Sequence, residues 1–522
     1  MRRGTGLAPQ AAPSYGSAPW DPSDPLAAGG RRERENRPVL RWLPLQPSGS
    51  APSPRPDPDG PGFAAPLWKR SLALLALLIS AWLWIGGLAD SLGRPSVVDS
   101  LSLRQLELGA LVADGVPTDL RTALVGAEPR SELADELQRQ MDASELPAPA
   151  ARRLELILLR RSTPSRESTG DGDQGGALRA LVEQLDGPRR PLLVALLDGR
   201  RRSPQEQIQL LEPWAPSTML RQLSCEQLGG PEGSCPAARD AGRLLLILLG
   251  VTVLPVLLVV IGVVLLLRSL WRKVRGQAPA PPSLRGPPIS PVDGILLIAG
   301  GFVVLGEVVM PELLQPPLSA AVGAFAVSPA LAQGLQVLLL YLGLMAAPLL
   351  ILAWMLPSSG RPEGGWLQWH LRPPASAIGA AVASTLMILP LVALSGWLVE
   401  HLWGDAGGSN PLLDLVLTSG DPWALLCFGV TAIVLAPLFE ETLFRGVLLP
   451  VAGRHLGGVQ AVVVSAAVFA AAHLSLGELV PLFVLALGLG WLRWSTGRLL
   501  PCVLMHALWN GLTFLNLLLL AG

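Results

Sequence analysis

Charged residues are scarce in this chain. Asp, Glu, Lys and Arg make up only 15% of its 522 residues, while half of the residues are hydrophobic. This composition excludes a soluble multidomain protein, and several uninterrupted apolar runs of about 18 residues or more predict membrane-spanning helices. The runs do not alternate apolar and polar residues, which excludes a transmembrane β-barrel. We therefore expect an all-α fold, a polytopic helical membrane protein.

Three further absences narrow the function. The formal net charge is zero, so no field of the whole molecule indicates nucleic acid or an acidic partner. The four cysteines form no CxxC pair, which argues against an iron–sulfur cluster or a zinc ribbon. No HExxH motif marks a zinc hydrolase. The lipid bilayer is the partner that the apolar runs predict.

Composition divides the chain into seven segments. The first is rich in Pro, Gly, Ala and Ser and is predicted to be disordered. The segments are a disordered cytoplasmic tail (1–66), a first transmembrane helix (67–90), an extracytoplasmic and mainly helical domain (91–242), a second transmembrane helix (243–268), a Pro-rich cytoplasmic linker (269–291), two transmembrane helices (292–374) and a core that carries the polar motifs below (375–522).

About nine apolar spans are predicted, and the sixth is expected to continue as one helix as far as Leu449. Basic residues precede the first span and follow the second, and the loop 400–421 contains no Lys or Arg. Because Lys and Arg are enriched in cytoplasmic loops, we expect a protein of the cell membrane whose N-terminus lies in the cytoplasm. The spans are Ser71–Leu88, Leu244–Leu267, Val292–Met310, Leu331–Leu356, Ala375–Val399, Trp423–Phe439, Val459–Leu474, Leu479–Trp494 and Leu499–Leu520.

The segment 91–242 shows helical patterning and is expected to form a small domain without a large core. Helices are predicted within Ala151–Leu159, Ala177–Leu185 and Gln205–Leu211. Cys225 and Cys235 lie ten residues apart around a Gly/Pro turn, on the side of the membrane where disulfides persist, and we expect them to be bridged.

Two adjacent glutamates, Glu440 and Glu441, lie at the end of the sixth span. Carboxylates at membrane depth are costly and usually functional. Consecutive helical residues point about 100° apart, so the two are not expected to face one site. Glu441 and Arg445, at i and i+4, are predicted to form a salt bridge. Glu440 then remains as the candidate general base in an apolar setting.

Two more motifs follow, Phe469-x-x-x-His473 and His506-x-x-x-Asn510, and each pair shares one helix face. If they converge with Glu440, then Glu440 and His473 would polarise a water molecule while His506 and Asn510 donate hydrogen bonds to a developing oxyanion. Such a set would hydrolyse an amide without a nucleophilic Ser or Cys. Alternatively, Glu440, His473 and His506 would hold Zn²⁺ with an open fourth position. No cofactor is favoured.

The remaining polar residues near spans are assigned structural roles. His370 and His401 flank spans, and His455 lies beside Arg454 in a short turn. Glu307 lies near the end of the third span without a matching partner, and we do not assign it to the site.

These motifs resemble those of a known family, the CPBP (CAAX protease and bacteriocin-processing, or ABI) intramembrane proteases, which include the type II CAAX prenyl endopeptidase. The resemblance covers about residues 375–520 and does not extend to 1–370. It implies a helical core with a cavity inside the membrane, in which Glu440 and His473 activate water and His506 with Asn510 forms the oxyanion hole. Some members are described as metalloproteases, and others resemble glutamate-dependent proteases. The resemblance rests on Glu440-Glu441-x-x-x-Arg445, Phe469-x-x-x-His473 and His506-x-x-x-Asn510.

The function expected from these residues is an intramembrane endopeptidase that hydrolyses a peptide bond of a membrane-associated protein or peptide. Prenylated substrates are not assumed. The first alternative is a non-catalytic membrane scaffold, or an immunity or maturation factor, on the same core. The second is a proton-coupled transporter, which predicts internal repeats that the sequence does not show.

Overall fold

The structure is a computed structural model, and it describes residues 65–521 apart from the short stretches 95–96, 114–121, 123, 144–147, 164–170, 215–216, 230–234 and 405–407. The predicted disordered tail, 1–66, lies outside the described residues except for its last two. Within the described ranges the chain is helical and contains no β-strand, which confirms the predicted all-α fold.

The first apolar helix, α1 (Leu67–Ser91), leads into a helical domain, hereafter the inserted domain. The helices predicted within Ala151–Leu159, Ala177–Leu185 and Gln205–Leu211 are confirmed. The domain contains α2 (Val97–Val112), α3 (Pro129–Ala143), α4 (Ala150–Ser162), α5 (Asp171–Gln184), α6 (Arg190–Asp198), α7 (Pro204–Leu211) and α8 (Thr218–Gln227).

The inserted domain has a continuous core of 24 buried hydrophobic residues, so the expectation that it lacks a large core was wrong. The cause is leucine at helical spacing: Leu154 and Leu158, one turn apart on α4, are both fully buried. Each such leucine stabilises the fold by about 1.5–3 kcal/mol relative to exposure. The predicted disulfide is present, with the Cα atoms of Cys225 and Cys235 5.8 Å apart.

The rest of the described chain is a helical bundle. Eight of the described helices are long and apolar enough to cross a membrane: α1, α9 to α12, α14, α16 and α17. The bounds of the remaining helices are α9 (Pro236–Val274), α10 (Pro291–Gly323), α11 (Pro329–Met355), α12 (Pro374–Trp403), α13 (Pro411–Thr418), α14 (Pro422–Leu456), α15 (Gly458–Ala471), α16 (Leu479–Thr496) and α17 (Leu500–Ala521).

The seventh predicted span, Val459–Leu474, is the short helix α15. Its 14 residues cover about 21 Å at 1.5 Å per residue, less than a hydrocarbon core of about 30 Å. The preceding helix α14 runs through Leu449, as expected, and continues to Leu456. Gly457, with φ +84°, separates the two helices, and α15 then ends at Ala471, before the end of the predicted span, so that a loop carries His473.

The predicted Pro-rich linker packs along the bundle. The guanidinium of Arg454 donates to the carbonyl oxygen of Pro287 (2.8 Å), and that of Arg493 donates to the carbonyl oxygen of Arg285 (2.7 Å). A Cβ atom at Gly286 would lie only 2.2 Å from Pro450, so the backbone passes directly over α14. The segment between α9 and α10 is therefore held by the ends of α14 and α16.

Candidate active site

The helix α14 carries the paired glutamates in an unusual setting. Ala436–Glu441 is a short α-helical stretch between two π-helical segments, Val430–Leu435 and Thr442–Leu448. π-Helical turns are rare and often occur at functional sites.

The predicted ion pair between Glu441 and Arg445 is present. Arg445 Nη1 lies 2.9 Å from Glu441 Oε1, and both side chains are fully buried. The guanidinium also donates to the carbonyl oxygen of Ala486 (3.2 Å) and lies 4.4 Å from the ring centre of Phe469. The pair therefore ties α14 to both α15 and α16.

The imidazole of His506 contacts both glutamates. His506 Nδ1 lies 2.9 Å from Glu441 Oε1, and Nε2 lies 3.9 Å from Glu440 Oε2. The expectation that the two carboxylates do not face one site was wrong. The two ring nitrogens of an imidazole lie on different edges, so one ring reaches two side chains that leave the helix in different directions. Since a carboxylate only accepts, Nδ1 carries the proton and Nε2 faces Glu440.

Glu440 has one satisfied and one unsatisfied oxygen. Oε1 accepts a hydrogen bond from the hydroxyl of Tyr341 (3.2 Å). Oε2 is buried and has no hydrogen-bond partner in the described part of the chain. Its 3.9 Å distance from His506 Nε2 is too long for a direct hydrogen bond, and a separation of this size suits a bridging water.

Sequence reasoning missed Tyr341, although a signal was present. Tyrosine occurs only twice in the chain, and Tyr341 lies inside an apolar span, where a hydroxyl needs a partner.

Phe469 brings the two histidines into one neighbourhood. Its ring centre lies 4.7 Å from that of His473 and 5.7 Å from that of His506. His473 Nδ1 lies 2.8 Å from the carbonyl oxygen of Phe469, so it donates its proton there and leaves Nε2 as the basic nitrogen of the neutral ring.

Asn510 is half-buried one turn after His506 on α17. Its Nδ2 donates to the carbonyl oxygen of Ala432 (2.7 Å), within the first π-helical segment of α14. An amide carries two N–H donors, so one remains after this bond.

Glu307 belongs to the surroundings of the site, contrary to the sequence interpretation. The helix α10 does not end near Met310 but continues to Gly323, because the π-helical stretch Leu296–Val309 leads directly into another helical segment. Glu307 therefore lies inside the helix. Its Oε2 accepts a hydrogen bond from Trp84 Nε1 of α1 (3.4 Å), and its carboxylate interacts electrostatically with Glu440.

A further acidic residue, Glu478, lies in the loop that follows His473. Burial raises the pKa of Glu478, while a hydrogen bond from the backbone N–H of Asn410 and the neighbouring charge of Arg94 act in the opposite direction. Glu478 was not identified from the sequence, since no motif spacing includes it.

The other histidines have partners outside the motifs. His370 Nε2 lies 3.0 Å from Gln368 Oε1, and His401 stacks on Trp397 at 5.2 Å between ring centres. His455 lies in the last turn of α14.

A metal ion does not fit the arrangement well. Across the described residues, no group of three or more His, Cys, Asp or Glu side chains is arranged to hold a metal, and the alternative zinc ligands Glu440, His473 and His506 form no such group.

The fold and site together define a polytopic helical membrane protein in which the carboxylates of α14 meet the imidazole of α17 inside the bundle, near the imidazole of His473. Residues 422–512 match the family described as type II CAAX prenyl endopeptidase Rce1-like, which confirms the resemblance to the CPBP family over this segment. At the level of the family, the match supports a CAAX-type intramembrane endopeptidase. Residues 98–246, which include most of the inserted domain, match a domain of unknown function (DUF8675). Searches of curated proteins and of solved structures gave no match.

Proposed function

We propose that this protein is an intramembrane endopeptidase that cleaves a membrane-associated protein or peptide, with a water molecule activated by Glu440 and His473. The observation that carries the proposal is the unpartnered oxygen Glu440 Oε2, which is buried and faces His506 Nε2 at 3.9 Å. A buried carboxylate oxygen without a partner is costly, so a water or substrate group that occupies the gap repays that cost.

The proposed reaction uses each polar group once. Glu440 takes one proton from a water that also donates a hydrogen bond to the neutral Nε2 of His473, and the water oxygen attacks the peptide carbonyl carbon. The resulting oxyanion accepts hydrogen bonds from His506 Nε2 and the second N–H of Asn510. Because His506 Nδ1 already donates to Glu441, Nε2 donates only when the ring is an imidazolium, so the cycle begins and ends with His506 protonated at both nitrogens and with its charge balanced by Glu441. Collapse of the tetrahedral intermediate breaks the C–N bond, the proton held by Glu440 passes to the leaving nitrogen, and the products are a carboxylic acid and an amine, which ionise to a carboxylate and an ammonium.

The test is a proteolysis assay with the purified full chain in liposomes, against a panel of tagged membrane proteins from the native host. Wild type is compared with Glu440→Gln, which removes the base, and with Glu312→Gln, which removes an exposed glutamate of α10. Loss of general base catalysis is expected to lower the rate by roughly 100-fold or more in Glu440→Gln. Glu312→Gln is expected to match wild type.

A strong chelator added to each arm separates the two chemistries. Cleavage that survives the chelator and is lost in Glu440→Gln supports the glutamate-activated water. Cleavage lost in both would favour the zinc alternative. Equal cleavage by wild type and Glu440→Gln would contradict the proposed base, and no cleavage by wild type would favour the non-catalytic scaffold.

We also propose the finer placement that the charges indicate, a multi-pass protein of the cell membrane with its N-terminus in the cytoplasm. The ion pair between Lys69 and Asp293 (3.0 Å) brings the start of α1 to the start of α10, as this topology requires.

A further inference from the structure

The junction between α1 and the inserted domain lies directly against the loop 472–478, hereafter the His473 loop. The backbone N–H of Leu476 donates to Ser91 Oγ (3.0 Å), and the guanidinium of Arg94 donates to the carbonyl oxygen of Leu474. Ser91 is fully buried. Ser91 and Arg94 lie about 380 positions before the His473 loop in the chain, outside the segment 422–512 that matches the protease family.

The His473 loop needs external support because of its backbone. Leu474, the residue after His473, has φ +49°, a left-handed conformation that is uncommon for a residue with a side chain. Such residues persist only where the surroundings hold them. The side chain of Leu474 fits against Gly87 of α1, where a Cβ atom would approach it to 3.0 Å.

A third segment closes the network. The hydroxyl of Ser475 donates to the carbonyl oxygen of Gly408, and the backbone N–H of Gly408 donates to the carbonyl oxygen of Arg94 (2.9 Å). Ser475 is 1% exposed. The backbone N–H of Glu478 donates to the Ser475 hydroxyl (3.3 Å), so the network extends along the loop to the residue that precedes α16. Ser91 and Arg94 thus fix the loop within a few residues of His473.

We propose that Ser91 and Arg94 are positioning residues that hold the His473 loop, and with it the His473 imidazole, in the arrangement used for catalysis. The catalytic part of this inference rests on the proposed function; the structural part does not. Because α2 begins at Val97, the same junction connects the inserted domain to the active site. A displacement of the inserted domain would therefore be transmitted to His473 through this junction.

The structural part is tested by amide hydrogen exchange of the full-length protein in detergent micelles. Ser91→Ala removes the acceptor for the Leu476 amide, and Arg94→Ala removes the donor to Leu474. Each is expected to raise exchange in the His473 loop roughly fivefold, the value of one net hydrogen bond. Arg94→Lys keeps a donor and is expected to restore much of the protection.

Two matched controls show whether any change is specific. Ser80→Ala removes another buried serine of α1, whose hydroxyl donates to the carbonyl oxygen of Ala299 (3.1 Å) and not to the loop. Arg243→Ala removes an exposed arginine near the start of α9, where the chain leaves the inserted domain. Neither is expected to change exchange in the His473 loop. Unchanged exchange there in both Ser91→Ala and Arg94→Ala would overturn the proposal.

The catalytic part is read from kinetics once a substrate of the panel is cleaved. A displaced His473 is expected to lower kcat of Arg94→Ala about tenfold with KM unchanged, and Arg94→Lys is expected to recover most of the rate. Increased exchange with normal kcat would reduce the junction to a structural contact and overturn the catalytic role. If the wild type cleaves nothing, the exchange data still decide whether the junction holds the loop, so the two proposals fail separately.

Discussion

Glu441 and Arg445 carry opposite charges at positions with no exposure to solvent. A buried ion pair gains little over a hydrophobic pair, because removing two charges from water costs about as much as their attraction returns. Its contacts nevertheless hold α14 against three other helices: Arg445 reaches Ala486 on α16 and Phe469 on α15, while Glu441 orients His506 on α17. We infer that the pair is retained for the geometry of the site rather than for stability.

Removal of one partner is therefore predicted to cost more than removal of both. Arg445→Met leaves the Glu441 carboxylate buried without its cation, at a cost of about 3–5 kcal/mol. The double variant Glu441→Gln, Arg445→Met keeps an acceptor for His506 and removes the uncompensated charge. We expect its folded yield and Tm in detergent to lie above those of Arg445→Met alone. A double variant as unstable as the single one would contradict this account.

A second buried charge cluster lies in the inserted domain. Glu107 and Glu155, 4% and 2% exposed, share the guanidinium of Arg152, whose Nη1 lies 3.2 Å from Glu155 Oε2. Burial and the neighbouring Glu107 raise the pKa of Glu155 to about 7, while Arg152 lowers it by less. Glu155 Oε1 has no hydrogen-bond partner within the described residues.

The inserted domain is predicted to lose stability as the pH rises through this pKa. The folded pKa of Glu155 lies above its ordinary value of 4.5, so the folded state binds the proton more tightly than the unfolded state. The contribution of Glu155 to the free energy of unfolding is present in full below its ordinary pKa of 4.5, and it is lost as the pH rises from that value to about 7. Hydrogen exchange of α4, corrected for intrinsic rates, should show lower protection at about pH 8 than at about pH 5.5.

Glu155→Gln resembles the protonated acid and should remove this pH dependence. Glu206→Gln is the matched control. The Glu206 carboxylate accepts a hydrogen bond from the Ser203 backbone, which lowers its pKa, so its contribution is lost only at more acidic pH. If the protection of α4 still depends on pH in Glu155→Gln, another titratable group causes the dependence.

At the scale of helices, the sequence predicts best what depends on local pattern. The apolar runs locate all nine predicted helices, and the spacing of Glu441 and Arg445 predicts their contact. The sequence does not predict where a helix changes its winding. The helix α10 passes Pro311 and continues to Gly323, so Glu307 lies inside the helix and near Glu440, and not at the end of a span. The sequence also cannot show Tyr341 or Ser91 near the motifs, because those contacts join residues that are distant in sequence.

Close helix packing gives a sharper prediction. At Gly262 of α9 a Cβ atom would lie 2.0 Å from the carbonyl oxygen of Leu386 on α12, so the two backbones touch. Small residues permit such approaches between membrane helices. Gly262→Ala is expected to push α9 from α12 and to lower Tm in detergent by several degrees.

Gly250→Ala, on the same helix, is the control for helix propensity. A Cβ atom there would meet Leu519 at 3.7 Å, an ordinary van der Waals contact. This variant should match or slightly exceed the wild-type Tm, since alanine favours a helix over glycine. Equal Tm values for Gly262→Ala and Gly250→Ala would contradict the close approach of α9 to α12.

At the scale of the molecule, the front of the chain is part of the bundle. The segment that matches the protease family begins at residue 422, but α1 supplies Trp84 to Glu307 and Ser91 to the His473 loop, and α11 supplies Tyr341 to Glu440. The surroundings of the candidate site thus come from both ends of the chain. An isolated segment 422–512 would lack these contacts.

This arrangement predicts that the chain remains assembled after a cut in the segment between α9 and α10. A protease site inserted after Ala280 lies in an exposed stretch, and cleavage there separates α1, the inserted domain and α9 from the rest. The contacts that remain include the packing of Gly262 against α12, the bond from Ser80 to Ala299 and the junction at Ser91. We expect the two fragments to elute together in mild detergent and to separate only on denaturation. Separation in mild detergent would mean that the covalent connection, and not packing, holds the front half beside the site.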